Sequence, residues 1–110
     1  LNNCYYSTAY TTVNASDTLT AFVDTYTEEY GEAPNMFSAL AYDATNLGLQ
    51  ALEKSGKTGA DLQKVIADTK FDGLTGSFTF DKTHSPKKSV LVVNLVDGVQ
   101  TEAVSVDPNK

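Results

Sequence analysis

The hydrophobic period changes twice along the chain, and this order of periods limits the folds that the sequence can adopt. Residues 4–10 are rich in aromatic and hydroxyl side chains, which indicates a strand. Residues 16–68 carry apolar side chains at helical spacing, and residues 71–106 return to strand-like patterns. One strand, three helices and three strands make an α/β or α+β pattern. Because the first strand has no neighbouring strand in the sequence, we expect its sheet to come from elsewhere.

The three helical segments have recognisable starts and ends. In the first, Ser16 or Asp17 can cap the free N–H groups, and Gly31 suits a left-handed position at the C-terminus. The second ends before Gly56 and has a face rich in small residues, which favours close packing against another element. The third is predicted from about Gly59 to Asp68. The predicted buried face of the second helix comprises Phe37, Leu40, Ala41, Ala44, Leu47, Gly48, Ala51 and Leu52.

The last third of the chain is predicted to be strands and turns. Residues 71–76 contain two glycines that mark turns, and residues 77–80 alternate with period two. Residues 81–88 are predicted to be a loop. Residues 89–96 contain the nearly continuous apolar run Val90-Leu91-Val92-Val93, which is typical of a strand covered on both faces. Asp97-Gly98 predicts a two-residue hairpin turn into a final strand, residues 99–106.

Length and charge exclude several classes of protein. A chain of 110 residues with 41% hydrophobic residues has room for one modest core, so we expect residues 1–110 to form one unit without an internal boundary. The net charge is -6 and all eight basic residues are lysines, which argues against a nucleic-acid partner. No apolar run approaches the ~20 residues that a membrane-spanning helix needs. A single cysteine, Cys4, excludes an internal disulfide and is interpreted as a small buried side chain.

The sequence contains few groups suited to catalysis or metal binding. Its single histidine, His84, lies in a predicted loop with no cysteine or second histidine to share a metal ion. No phosphate-binding glycine loop, zinc-binding helix or nucleophile elbow is present. Asp43 lies just outside the stripe of alanines, and we expect it to form a structural hydrogen bond to a neighbouring loop. We therefore predict no catalytic residue, no metal site and no cofactor.

Several blocks of sequence, taken in order, resemble a known family over nearly the whole chain. Each block is weakly specific alone, but their order and spacing make the resemblance fairly specific. They look like the C-terminal part of the branched-chain amino acid binding proteins, the type I solute-binding receptors of ABC importers. The blocks are residues 5–10, 21–26, 30–35, the Tyr-Asp-Ala block at 37–44, and Gly73-Leu74-Thr75-Gly76 with Phe78 and Phe80-Asp81.

The resemblance implies a fold, a function and two site residues. It implies an α/β receptor of two lobes joined by a three-stranded hinge, of which this chain would be a C-terminal segment. Such a receptor is extracytoplasmic, binds an amino acid and delivers it to a membrane permease. In the family, the aromatic residue five positions before the tyrosine of Tyr-Asp-Ala lies near the ligand side chain, and that position is Phe37. Tyr10, at the end of the presumed hinge strand, is a second candidate for the cleft.

Other interpretations stay open at this stage. Phe37 also begins an apolar stripe, so it is equally interpreted as a core residue. The same fold serves in sensory or regulatory ligand-binding domains, and a small α+β protein-interaction module is a further alternative. Family members commonly have Gly-Asp after the Phe-Asp element, whereas this chain has residues 82–86, Lys-Thr-His-Ser-Pro, which puts that turn in doubt. An isolated segment is also expected to self-associate through exposed sheet edges.

Overall fold

The structure is a computed structural model that describes residues 2–56 and 58–108. These residues form three helices and two antiparallel sheets of three strands each. The helices are α1 (Asp17–Tyr30), α2 (Met36–Ser55) and α3 (Ala60–Ala67). The strands are β1 (Cys4–Thr8), β2 (Phe71–Gly73), β3 (Gly76–Phe80), β4 (Pro86–Lys87), β5 (Val90–Val96) and β6 (Val99–Val106). The predicted α/β class is confirmed, and so is the order of elements apart from two short strands: β2 lies in the segment predicted to be turns, and β4 lies in the segment predicted to be a loop.

The first sheet unites the two ends of the described chain. Its strand order is β1-β5-β6, so β5 is the central strand and β1 pairs with it in antiparallel register from Cys4 opposite Leu95 to Thr8 opposite Leu91. The expectation that β1 has no partner in this chain is therefore wrong. The partner was missed because more than 80 residues separate the two strands, and periodicity reports only local neighbours.

The hairpin between β5 and β6 forms where the sequence predicted it. Asp97 and Gly98 have φ values of 51° and 77°, the left-handed pair that a two-residue turn of this kind requires. The pairing is irregular between Asn94 and Leu95, where the register shifts. Only the middle of β5 is fully covered, since Val93 is 0% exposed while Val90 is exposed at the strand start. The prediction of a strand covered along both faces is therefore wrong at its ends.

Helix caps confirm the predicted starts and ends. The Ser16 hydroxyl accepts the Leu19 N–H at 3.2 Å, and Gly31 ends α1 with φ 75°. Asn35 caps α2 by accepting the Ser38 N–H at 3.0 Å, and Gly56 ends the helix in the same way as Gly31.

The buried face of α2 differs from the predicted one. The buried residues are Ala39, Asp43, Leu47 and Ala51, one row at i, i+4 spacing. Much of the predicted stripe, including Phe37, Ala41, Ala44 and Leu52, is exposed. Helix α2 carries two rows of small and apolar residues, and the buried row is the one that contains the carboxylate of Asp43. The hydrogen bonds of Asp43 explain that choice.

The second sheet begins with a short hairpin whose turn is bonded to Asp43 on α2. Its order is β2-β3-β4, and Phe71 packs opposite Phe78 with ring centres 5.6 Å apart. The turn after β3 is ordered by Asp81, whose carboxylate accepts the Thr83 and Ser85 N–H groups at 2.8 and 3.0 Å. His84 has φ 64°, a left-handed conformation that favours glycine. The turn that the sequence left in doubt is thus formed without a glycine.

Candidate functional site

The chain leaves the sheet β1-β5-β6 after β1, forms the helices and the second sheet, and returns to the first sheet before β5. We call these two connections the first and second crossings. A cleft of about 420 Å³ opens beside them. One crossing follows the end of β1, and the other is the pair Lys88-Ser89 between β4 and β5. The crossings are neighbours because Thr8 and Leu91 are paired. The cleft is lined by residues that follow β1, by the turn between β2 and β3, and by residues at the start of β5.

Tyr10 lies on the first crossing and lines this cleft. Its hydroxyl donates to the Pro34 carbonyl at 3.3 Å, and its N–H donates to the Thr8 hydroxyl at 3.2 Å. The Thr8 hydroxyl also contacts the Met36 sulfur at 3.5 Å. Burial raises the pKa of the Tyr10 phenol above its ordinary value, so the group stays a protonated donor at neutral pH. The end of β1 is thereby held against the start of α2.

A second set of polar contacts joins the first crossing to β6. The Thr11 hydroxyl donates to the Gln100 side-chain oxygen at 2.7 Å and accepts the Val13 N–H at 3.1 Å. The amide nitrogen of Gln100 donates to the Tyr6 hydroxyl. Thr11 is buried, so its hydroxyl has exchanged water for these partners. Sequence reasoning missed Thr11 and Gln100, because nothing local links two residues so far apart in the chain.

Asp43 forms the most fully satisfied polar contact of the site. It is 3% exposed, and its carboxylate accepts the Leu74 N–H at 2.8 Å, the Thr75 N–H at 2.9 Å and the Thr75 hydroxyl at 2.6 Å. The predicted structural hydrogen bond to a neighbouring loop is confirmed, and the loop is the turn between β2 and β3. A Cβ atom at Gly73 would lie 2.6 Å from the Asp43 carboxylate, which explains why glycine occupies that position.

Lys88 completes this network from the second crossing. Its ammonium donates to the Thr75 hydroxyl and lies 5.1 Å from the centre of the Phe78 ring. Burial lowers the pKa of Lys88, and the nearby charge of Asp43 acts in the opposite direction. Thr75 therefore accepts from Lys88 while it donates to Asp43. Sequence reasoning placed Lys88 in a loop and assigned it no role.

Phe37 lies in the first turn of α2, next to Met36, and is 72% exposed. Its interpretation as a core residue is therefore wrong for the described chain. Phe37 is not among the residues that line the 420 Å³ cleft, whereas Tyr10 is. Both candidates nevertheless lie near the start of α2, since the Tyr10 hydroxyl donates to the carbonyl of Pro34, three residues before Phe37.

Among residues 2–56 and 58–108, no group of three His, Cys, Asp or Glu side chains is placed to hold a metal ion. Within the same ranges, no helix is long and apolar enough to cross a membrane. Cys4 is half-buried on β1, which is less burial than its sequence context predicted.

Comparison with solved structures defines the class of protein that has this arrangement of sheets and helices. The chain superposes on the branched-chain amino acid transporter substrate-binding protein LivJ from Streptococcus pneumoniae, solved in complex with isoleucine, with a TM-score of 0.82 and 32% identity. It also superposes on the leucine-binding protein LivK from Thermotoga maritima, with a TM-score of 0.81 and 29% identity. An ABC transporter substrate-binding protein from Desulfitobacterium hafniense in complex with Leu has the same fold, with a TM-score of 0.79 and 23% identity.

These matches cover 97%, 98% and 94% of this chain, and the chain spans only about a third of each, namely 31%, 32% and 31%. Residues 1–100 match the family model described as periplasmic binding protein. The chain belongs to the periplasmic binding protein family, and its fold is part of the type I fold of that family. A comparison with curated proteins found no match.

Proposed function

We propose that this chain is the C-terminal segment of an extracytoplasmic solute-binding protein that binds a branched-chain or similar amino acid and delivers it to an ABC permease. The observation that supports this most directly is the superposition over 97% of the chain on a substrate-binding protein that holds isoleucine. In this proposal residues 1–110 act as one unit within a two-lobed receptor. The receptor binds its ligand without chemical change, so the chain is not an enzyme.

We propose Phe37 and Tyr10 as the residues of this segment that line the ligand cleft. An exposed aromatic ring on the first turn of a helix can serve as a wall for an apolar side chain. The phenol of Tyr10 fixes the strand end beside that helix through its bond to Pro34. The two residues therefore have different roles, since Phe37 would contact the ligand and Tyr10 would shape the cleft.

Calorimetry on the full-length receptor that contains this chain tests the function and the site together. We expect heat of binding with leucine, isoleucine or valine, and an affinity about tenfold lower in Phe37→Ala, which is ~1.4 kcal/mol. Tyr30→Ala is the matched control, because Tyr30 is 67% exposed at the far end of α1. Absence of heat with all three amino acids would overturn the proposed function. Equal affinities of the two variants would overturn the role of Phe37 alone.

The 110-residue chain by itself is expected to bind amino acids weakly or not at all. A small-molecule pocket buries most of its ligand between convergent walls, and this chain supplies at most one wall. Calorimetry that gives micromolar affinity for leucine with this chain alone would contradict the expectation.

The isolated chain is also expected to self-associate. Strand β6 is an edge strand of its sheet and carries exposed valines, with Val99 and Val104 both more than 60% exposed. Unpaired strand edges with apolar side chains favour pairing with another copy. A sizing experiment at high concentration that shows only monomer would contradict this expectation.

A further inference from the structure

Lys88 lies where the chain passes from one sheet to the other. Strand β4 ends at Lys87 and belongs to the sheet β2-β3-β4, whereas β5 begins at Val90 and is the central strand of the sheet β1-β5-β6. Only Lys88 and Ser89 connect them. If the two sheets rotate relative to each other, the backbone between β4 and β5 must bend at Lys88 and Ser89. Contacts that hold these two residues in place therefore resist the rotation.

The side chain of Lys88 fastens this connection to the sheet that it leaves. Its ammonium donates to the Thr75 hydroxyl in the turn between β2 and β3, and the Phe78 ring of β3 lies beneath it. Thr75 is bonded in turn to the buried carboxylate of Asp43 on α2. Lys88 is thus linked to a hairpin and a helix whose own contact is fixed by three hydrogen bonds from Leu74 and Thr75.

This arrangement is poorly suited to increasing stability and well suited to fixing geometry. Burial lowers the pKa of Lys88 despite the attraction of Asp43, so the folded chain holds this proton less strongly than a solvated lysine would. A half-buried ammonium of this kind adds little net stability, but its bond to the Thr75 hydroxyl and its contact with the Phe78 ring favour one arrangement. By contrast, Lys87 next to it is exposed on the short strand β4.

The first crossing is fastened to the same helix. Thr8 and Tyr10, at the end of β1, contact Met36 and Pro34 at the start of α2. Both crossings are therefore tied to α2, one at its first turn and one through Asp43. If the Lys88 contact were lost, only the polar contacts of the first crossing, among those described above, would still restrict the angle between the two sheets.

We propose that Lys88 is a positioning residue that fixes the direction in which β5 leaves the sheet β2-β3-β4, and thereby the angle between the two sheets. This proposal rests on the proposed function only in taking the two sheets to belong to the two lobes of a receptor. The angle between the lobes is then the coordinate of opening and closing. Loss of the Lys88 contact broadens the distribution of that angle in the ligand-free protein.

Distance measurement between spin labels in the full-length protein tests the proposal. The labels are placed at Gln50→Cys on α2 and Glu102→Cys on β6, two exposed positions, in a Cys4→Ala background. The reference protein and Lys87→Met should give the same narrow distance distribution without ligand. Lys88→Met should give a broader or shifted distribution, because methionine has similar length and no donor.

A conservative variant separates positioning from simple space filling. Lys88→Arg keeps the charge and the donors and can stack on the Phe78 ring, so it should restore the narrow distribution. A distribution in Lys88→Met equal to that of Lys87→Met overturns the proposal, and so does an arginine variant as broad as the methionine variant. If Lys88→Met does not fold, Lys88→Leu, which also lacks a donor, is measured in its place and should give the same broader or shifted distribution. Failure of both to fold, with Lys87→Met folded, shows a folding role and also overturns the proposal.

Titration of the same labelled proteins with leucine keeps this proposal distinct from the proposed function. If the binding-competent arrangement becomes a tenth as populated in Lys88→Met, the apparent affinity falls about tenfold. No heat in the reference protein would overturn amino-acid binding but would leave the distance result to decide the role of Lys88. An unchanged affinity together with an unchanged distance distribution overturns the positioning role.

Discussion

Replacing Asp43 should destabilise the protein more than replacing any exposed acid. Asp43→Ala removes the acceptor of two N–H groups and one hydroxyl, and it leaves the half-buried Lys88 without its compensating charge. An unsatisfied buried donor costs ~1–3 kcal/mol, and two backbone N–H groups, those of Leu74 and Thr75, lose their acceptor together. The Thr75 hydroxyl can rotate to a new partner, so we expect a loss of about 3–5 kcal/mol in the free energy of unfolding.

Asp43→Asn should have an intermediate effect. The amide oxygen can take the place of Oδ2 and keep both bonds from Thr75, but its NH₂ group then faces the Leu74 N–H. One donor is left unsatisfied, so the expected loss is ~1–3 kcal/mol. The free energy of unfolding should therefore rise from alanine through asparagine to aspartate at position 43, because each of these side chains accepts more hydrogen bonds from Leu74 and Thr75 than the one before it.

Urea unfolding followed by circular dichroism measures these differences. Asp24→Ala on the exposed face of α1 is the matched control and should change the free energy of unfolding by less than ~0.5 kcal/mol. The denaturant slope should be unchanged across the series, so that midpoints report stability. Equal losses in Asp43→Ala and Asp24→Ala would refute the reasoning.

Three further changes test other parts of the fold. Gly73→Ala should lower the free energy of unfolding by ~1–3 kcal/mol, because the new Cβ meets the fixed Asp43 carboxylate. The loss should be smaller in an Asp43→Ala background. Urea unfolding of the double-mutant cycle would contradict this if the two losses simply add. Ser16→Ala removes the α1 cap and should cost about 1 kcal/mol by thermal unfolding, and no change would argue against that cap. Hydrogen bonds from Thr83 and Ser85 lower the pKa of Asp81. The contribution of Asp81 to stability is therefore complete above the unfolded pKa of about 3.9 and is lost as pH falls through the lower folded value. An NMR titration that finds an ordinary pKa for Asp81 would contradict this.

Local patterns in the sequence predicted the elements and their ends. Ser16 and Gly31 marked the limits of α1, and Asp97-Gly98 marked the final hairpin, because caps and tight turns depend on a few neighbouring residues. The resemblance that pointed to a solute-binding receptor also came from short blocks in order. Phe37 and Tyr10 were predicted as ligand contacts on that resemblance, and they remain predictions.

The same patterns failed wherever a choice depended on distant parts of the chain. Periodicity predicted a buried stripe on α2 that begins at Phe37, but the buried row is the one that contains Asp43. Asp43 is buried because the turn between β2 and β3 offers it three donors, and that turn is some thirty residues away. A count of apolar residues cannot anticipate a polar side chain that is satisfied in this way.

The sequence alone therefore determined the three helices and the longer strands β1, β3, β5 and β6, because helix and strand periods, caps and turns are local properties. Only the tertiary structure decided which faces are buried, that β1 pairs with β5, and that Lys88 reaches Thr75 at the crossing between the sheets. These contacts join residues from 13 to more than 80 positions apart. They depend on how complete elements pack, where burying a charge is tolerated only when its hydrogen bonds are supplied by other parts of the chain.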